Sequence, residues 1–393
     1  MWRCNTMEDR KRHTLLWKGI RPLTILTAKV LFNFDADICR EKGPLIILPN
    51  HNADLDPLLV SYAFPDPVYF VASEHIMRGK AGDFLRWATE IIPRQKGGNA
   101  SGTVRNILRH LGSGHNVCLF PEGNRSWDGE TRPITPATGK MVRMSGAKLV
   151  TYRTEGIYFS NPRWAGGSLR RGKARGRIVG VYEPEYLKSI TASAVQELIE
   201  RDLYESAYTR QRKKPVKFRG KRLAEHLETF LFMCPHCHAE GKMRSEGNYF
   251  ICEECGTKLR YTEEGFFAGE NCIFDSVLDW SIWQKERIKE KCNAESDEPI
   301  FVDSDLELRA VNTAESEKLL ACGTMKLFRD RLELPDGTVI GVHNISGMSI
   351  LGAQNLYFSS NNKNFLITSK KIRCTSKYLT ACKIFDKSLQ YGI

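Results

Sequence analysis

From residue 45 to about 210 the chain alternates short apolar runs with stretches of helical periodicity. Leu45–Leu48, Val68–Val71, Val117–Phe120 and Leu149–Tyr152 have the length of strands, and Ile178–Val181 makes a fifth. Between them, Leu58–Phe64, Asp83–Ile91 and Thr103–Leu111 suit helices. Strands alternating with helices predict an α/β layered domain, a largely parallel or mixed sheet flanked by helices. Upstream, Leu15, Leu16, Trp17, Ile20, Leu23, Leu26, Val30 and Leu31 recur near helical spacing within a basic stretch. Downstream, Ala192–Tyr208 reads as a helix that runs into RQRKKPVKFRGKR, a linker by composition.

The texture then changes twice. Two CxxC pairs fall inside residues 234–262, and Asp279–Lys291 looks like a short charged helix. After Pro299, short runs follow one another: Met325–Phe328, Arg331–Leu334, Thr338–Val342, Met348–Leu351, Leu356–Ser359 and Asn364–Thr368. Their spacing predicts a small antiparallel β domain closed by a helix at Ser376–Phe385. The expected organisation is an α/β domain with a basic N-terminal helix over 1–215, a cysteine module over 216–265, a helical linker over 266–298 and a β-rich domain over 299–393.

Composition narrows the function classes. The chain has 393 residues, 41% apolar and 26% charged, which excludes a disordered tail, a collagen and a disulfide mini-protein. The apolar stretch Leu23–Phe34 is broken by Thr24, Thr27, Lys29 and Asn33, so no bilayer-spanning helix is expected. MWRCNTMEDRKRH leads into no clean apolar core with a cleavage site, so no signal peptide is expected either. The net charge of +12 is uneven: residues 1–222 hold 38 Lys and Arg against 21 Asp and Glu, the remainder 20 against 25. A basic first half calls for a polyanionic partner, and charge alone does not choose among nucleic acid, an anionic membrane and a phosphorylated substrate.

Two segments carry candidate chemistry. In LIILPNHNADLDP (45–57) an apolar run delivers His51, with Asp54 and Asp56 following. A carboxylate a few residues from a histidine can fix its tautomer and stabilise the imidazolium formed when it takes a proton. Alone, the segment reads more readily as a helix cap with acidic residues in its first turn. In VCLFPEGNRS (117–126) a second apolar run ends in Glu122, Gly123 and Arg125, where glycine permits a sharp turn and arginine suits bidentate capture of a phosphate. Two polar constellations at two strand ends can converge on one site.

PNHNADLDP resembles the NHx4D block of the glycerolipid acyltransferases, the family containing 1-acylglycerol-3-phosphate acyltransferase, and FPEGNRS resembles its FPEGTRS block, with Asn124 at the usual threonine position. The resemblance covers roughly residues 20–210. It implies His51 as general base and Asp56, rather than Asp54, as its orienter, and Arg125 as a ligand of the acceptor phosphate. It also implies a pocket shaped by Glu122 and Gly123. IIPRQKGGNASGTVR occupies the place of the family's second block, which makes Arg94 or Lys96 a further phosphate contact. The implied reaction moves an acyl chain from acyl-CoA or an acyl carrier protein to a lysophospholipid, most simply 1-acylglycerol-3-phosphate. Glycerol-3-phosphate or another lysophospholipid is the alternative acceptor.

CPHC and CEEC, with fourteen residues between them, place Cys234, Cys237, Cys252 and Cys255 at the spacing of a tetrahedral structural zinc site, a zinc ribbon. His236 and His238 read as bystanders. The C-terminal strands resemble a GRAM or pleckstrin-homology-type barrel in their succession. A nucleic-acid-binding ribbon protein would explain charge and cysteines, but it leaves NHNADLD and FPEGNRS unexplained and its ribbon half is acidic, so no nucleic-acid partner is expected. A non-catalytic lipid-binding scaffold is the remaining alternative. Lipid substrates and the basic N-terminal helix lead to the expectation of an anionic membrane surface as partner, and of a cytoplasmic protein peripherally held at the inner face of the cell membrane.

Overall fold

The structure, a computed structural model, describes residues 7–73, 91–94, 100–311, 317–386 and 389. The expected helix at Asp83–Ile91 and residue Lys96 lie outside the described residues. The chain forms two compact units, one of residues 1–161 and 169–216, the other of 162–168 and 217–393.

The first unit begins with α1 (Met7–Phe32), β1 (Phe34–Ala36), β2 (Leu45–Pro49), α2 (Asp56–Ala63), β3 (Val68–Ser73) and β4 (Ile92–Arg94). It continues with α3 (Ala100–Gly112), β5 (Asn116–Cys118), α4 (Ala137–Ser145), β6 (Lys148–Glu155), the single turn α5 (Ile157–Ser160) and β7 (Ala174–Tyr182). Helices α6 (Pro184–Ser189), α7 (Ala192–Leu203) and α8 (Ala207–Lys213) complete it. The seven strands form one sheet in the order β1-β7-β6-β2-β5-β3-β4, parallel throughout except for the β6–β7 pair.

Strand β2 lies at the centre, and all five of its residues are buried. Successive side chains point to opposite faces, so the two faces build separate cores. Ile46 and Leu48 pack with Tyr69, Ile107, Leu111, Val195 and Ile199. Leu45 and Ile47 pack with Val60, Phe64, Phe70, Val150 and Tyr152 on the other side. Helices on both faces explain why these strands read as unbroken apolar runs. Helix α1 is tied to α2 through Trp17 Nε1, which donates to the Phe64 carbonyl at 3.2 Å, and Arg21, which donates to the Tyr62 carbonyl at 2.9 Å. Its outer side leaves Leu15 71%, Leu23 62%, Leu26 58% and Val30 57% exposed. No described helix is long and apolar enough to cross a membrane.

One expectation is corrected. Ala192–Tyr208 is not one helix: it breaks at Tyr204–Ser206. There the Glu205 carbonyl accepts the Thr131 amide at 2.9 Å, and Ser206 bridges to Glu130 before capping α8 through the Thr209 amide. Backbone pairing with a distant loop outweighs local helical periodicity.

The second unit opens with an antiparallel four-stranded sheet ordered β11-β10-β9-β8, made of β8 (Met243–Glu246), β9 (Tyr249–Cys252), β10 (Lys258–Tyr261) and β11 (Phe267–Ala268). Helix α9 (Val277–Asn293) is stitched to the chain before it: Gln284 Oε1 accepts the Phe232 and Met233 amides at 2.8 and 3.2 Å, and Trp280 Nε1 donates to the Met233 carbonyl at 2.9 Å. Seven antiparallel strands follow, namely β12 (Phe301–Val311), β13 (Glu317–Leu327), β14 (Arg331–Glu333), β15 (Val339–Gly341), β16 (Ser346–Leu351), β17 (Asn355–Ser360) and β18 (Lys363–Thr368), ahead of α10 (Ser376–Phe385). Strand β12 escaped sequence reading because an irregularity in its pairing between Asp303 and Leu306 interrupts the two-residue alternation.

Candidate active site and cysteine cluster

Strands β2 and β5 are direct neighbours, Ile46 beside Val117 and Ile47 beside Cys118. The turns leaving their C-terminal ends therefore emerge together, at the sheet edge where open α/β folds bind ligands. Two hydrogen bonds donated by backbone amides couple these turns to each other: the His51 amide donates to Glu122 Oε1 at 2.6 Å, and the Ser126 amide donates to the His51 carbonyl at 2.9 Å.

His51 Nδ1 and Asp56 Oδ2 are 2.8 Å apart. An ionised carboxylate only accepts, so the proton sits on Nδ1 and Nε2 carries the lone pair. Asp56 is fully buried and also accepts the Asn52 and Ala53 amides at 2.7 and 3.0 Å. It thus holds the turn before α2 rather than capping the helix itself, whose N-cap is Leu55. The imidazole stacks on Phe120, ring centroids 4.4 Å apart, and remains 20% exposed. At the base of the turn, Asn50 Oδ1 accepts the Thr154 amide at 2.7 Å and its Nδ2 donates to the Thr154 carbonyl at 3.1 Å, locking β2 to β6.

Glu122 is buried beneath the turn, Oε1 on the His51 amide and Oε2 on the Arg132 amide at 2.7 Å. Burial pushes its carboxyl up to about 8, against the pull of those two amides and of the Arg132 charge. Gly123 adopts φ +71°, and a Cβ there would lie 3.1 Å from Arg94 Nη1. The glycine therefore supplies both the left-handed turn and the room for the Arg94 guanidinium. Arg125 pairs with Asp54 at 3.1 Å, and burial lowers the basicity of both Arg94 and Arg125. Asp54 thus faces Arg125, and Asp56 faces His51.

The turns therefore present an imidazole with a fixed tautomer, together with two partly desolvated guanidinium groups. Sequence reading missed Phe120, Arg132 and Asn161, whose side chain meets both Asp54 and Arg125. Phe120 lies within the FPEGNRS block but carries no signal of its stacking on His51, and Asn161 has no local signal because its partners are 36 and 107 residues away along the chain. Residues 161–177 carry six Lys and Arg. Arg163 and Arg170 are buried, Arg171 donates to the Val30 carbonyl at 3.0 Å, and Arg175 pairs with Asp37 at 2.8 Å.

A layered α/β domain with a histidine–carboxylate pair and arginines at adjacent strand ends is suited to transfer of a group onto a hydroxyl of a phosphate-bearing acceptor. Residues 33–155 match the family model "Acyltransferase", and this stretch is an acyltransferase-family domain. The chain is similar to the 1-acyl-sn-glycerol-3-phosphate acyltransferase of Borreliella burgdorferi, 25% identical over 126 residues that make up 31% of this chain. It spans about half the length of that curated relative, 50%. Among solved structures, it is similar to the crystal structure of the 1-acyl-sn-glycerophosphate acyltransferase PlsC from Thermotoga maritima, 18% identical, with a TM-score of 0.42 over 50% of this chain and 82% of that one.

In the second unit the Sγ atoms of Cys234, Cys237, Cys252 and Cys255 all lie within 4.8 Å of one another. Cys234 and Cys255 are 3.8 Å apart, Cys237 and Cys252 3.7 Å. Four sulfurs at about 2.3 Å from a central zinc would stand about 3.8 Å from each other, so the donor set fits that ion. Burial pushes the Cys234 thiol up to about 12, while the Thr257 hydroxyl, 3.2 Å from Cys255 Sγ, holds that thiol down to about 6. A dication among them would favour thiolate at all four. His238 instead faces Trp283, ring centroids 5.5 Å apart.

Proposed function

We propose that the chain is an O-acyltransferase that moves a fatty acyl chain from an acyl thioester, acyl-CoA or an acyl carrier protein, to the free hydroxyl of a lysophospholipid. The simplest acceptor is 1-acylglycerol-3-phosphate, giving phosphatidic acid. The observation that carries this reading is the 2.8 Å His51–Asp56 pair at the strand end, in the segment that matches the acyltransferase model. His51 Nε2 takes the acceptor hydroxyl proton while Asp56 stabilises the imidazolium. The oxygen attacks the thioester carbonyl, and collapse of the tetrahedral species breaks the C–S bond. The leaving thiolate then takes the proton from His51. Arg125, assisted by Arg94, holds the acceptor phosphate. The exposed Asp54 carboxylate is its stand-in, because an ion pair with a partner 63% exposed is weak enough to exchange.

In this reading residues 1–215 are the catalytic domain, and 216–265 form a ribbon on a structural zinc held by Cys234, Cys237, Cys252 and Cys255, which closes the four-ligand shell and stabilises a module too small to fold alone. Residues 266–298 link it to the β-rich domain 299–393. The apolar outer side of α1, flanked by Arg12, Lys18 and Lys29, is the surface that meets an anionic membrane, on its cytoplasmic face.

The deciding experiment mixes the purified chain with 1-acylglycerol-3-phosphate and acyl-CoA and follows thiol release, with His51→Ala alongside. Release by the wild type that disappears in a folded His51→Ala supports the reading. Undiminished release in the variant overturns the assignment of the base. No transfer with any acceptor or carrier in a panel including glycerol-3-phosphate, other lysophospholipids and acyl carrier protein overturns the enzyme in favour of a lipid-binding scaffold.

A further inference from the structure

Arg125 is oriented from outside its own turn. Its Nη1 donates to Asn161 Oδ1 at 3.3 Å, and the same oxygen accepts the Asp54 amide at 3.3 Å. Asn161 is 3% exposed and stands directly after α5, its own amide bonded to the Ile157 carbonyl at 3.1 Å. One buried amide side chain thus joins the turn that carries His51 and Asp56 to the guanidinium assigned to the acceptor phosphate. A free arginine loses considerable rotamer freedom when it grips an anion, and an anchor set beforehand removes part of that cost.

Immediately beyond Asn161 the chain changes unit. Residues 162–168 pack with the second unit and the chain returns to the first at Leu169. Within the second unit Trp164 is fully buried, edge-on to Tyr261 with ring centroids 5.5 Å apart. Arg163 donates to the Ile350 carbonyl at 2.6 Å. Gly166, at φ +60°, runs so close to His226 that a Cβ would lie 2.8 Å from the ring. At the base of the excursion the Arg170 amide donates to the Ser160 carbonyl at 2.8 Å, next to Asn161 itself. Asn161 is thus held by its own amide on Ile157 and by the Arg170–Ser160 bond beside it.

We propose that Asn161 is a positioning residue that sets the grip of Arg125 on the phosphate of the acceptor. The proposal rests on the reading of Arg125 given above. A purely structural Asn161 would affect every acceptor alike. One that acts through Arg125 affects only acceptors that carry a phosphate.

The test is calorimetric titration of the full chain with glycerol 3-phosphate, a readout independent of turnover. Asn161→Ala is expected to weaken binding about tenfold, as for loss of one hydrogen bond to a charged group. Asn161→Asp keeps the accepting oxygen, so it retains the fold, and its added charge competes with the phosphate for Arg125; it is also expected to bind more weakly. In turnover, Asn161→Ala raises the acceptor KM with little change in kcat, and the penalty disappears with monoacylglycerol, which has no phosphate. Binding by Asn161→Asp equal to wild type, or no binding by the wild type, overturns the proposal. A wild type that binds with these differences but transfers no acyl chain refutes the catalytic reading and leaves the grip standing.

Discussion

A single carboxylate oxygen, Asp56 Oδ2, accepts from His51 Nδ1 at 2.8 Å and from the amides of Asn52 and Ala53 at 2.7 and 3.0 Å. The group that holds the His51 imidazole therefore also shapes the turn that presents it. Asp56→Asn would turn one acceptor into a donor and favour the other imidazole tautomer. We expect kcat to fall by roughly 10²–10⁴ with the acceptor KM little changed, read from steady-state thiol release. Circular dichroism should remain that of the wild type.

Glu122 is the keystone of the two turns, since both of its oxygens accept backbone amides, those of His51 and Arg132. Glu122→Ala removes the acceptors of both amides and leaves them buried and unsatisfied. The expected cost is about 1–3 kcal/mol, seen as a lower denaturant midpoint, together with reduced turnover because the His51 turn loosens.

His13 and His110 stand around Tyr69, with His115 stacked on the same ring. Burial, with the neighbouring histidine charges, lowers His13 and His110 from 6.5 to about 4. Between those values the unfolded chain binds protons that the folded one refuses, so this contribution to stability is intact above pH 6.5 and lost as pH falls toward 4. Glu122 acts in the opposite window: raised from 4.5 to about 8, it makes the folded state lose stability as pH rises from 4.5 to 8. Unfolding midpoints measured from pH 4 to 8.5 should therefore show a His110→Leu variant with a shallower acid limb than wild type. Identical acid limbs would contradict the assignment.

Metal analysis should return one zinc per chain, and Cys252→Ser or a strong chelator should unfold the ribbon, a loss on the order of 10 kcal/mol of binding-coupled folding energy. Protection of Phe250 and Tyr261 amides in hydrogen exchange is the direct readout. Iron in place of zinc, or no metal, would refute the site.

Leu23 and Leu26 are exposed on α1 beside basic side chains. Leu23→Glu with Leu26→Glu should abolish flotation with anionic liposomes and leave activity toward a monomeric short-chain acceptor intact. Flotation of the double variant equal to wild type would remove α1 as the membrane surface.

Much of this was legible in the chain. Unbroken apolar runs such as Leu45–Leu48 reveal strands covered on both faces, and the strand end carrying PNHNADLD or FPEGNRS is local information. So is the CxxC spacing, because each knuckle is made by residues three apart. The helix over Ser376–Phe385 is also written in its own periodicity. What sequence could not supply is adjacency. Only the sheet order sets β2 beside β5, so that Glu122 reaches the His51 amide across 71 residues of chain. Only tertiary contact brings Asn161 to Asp54 and Arg125, breaks the helix at Tyr204–Ser206 against the Thr131 loop, and buries Arg163 and Arg170 of a strongly basic segment. Propensity and motif are properties of neighbours along the chain, whereas these bonds are closed between groups that meet only after the sheet has formed.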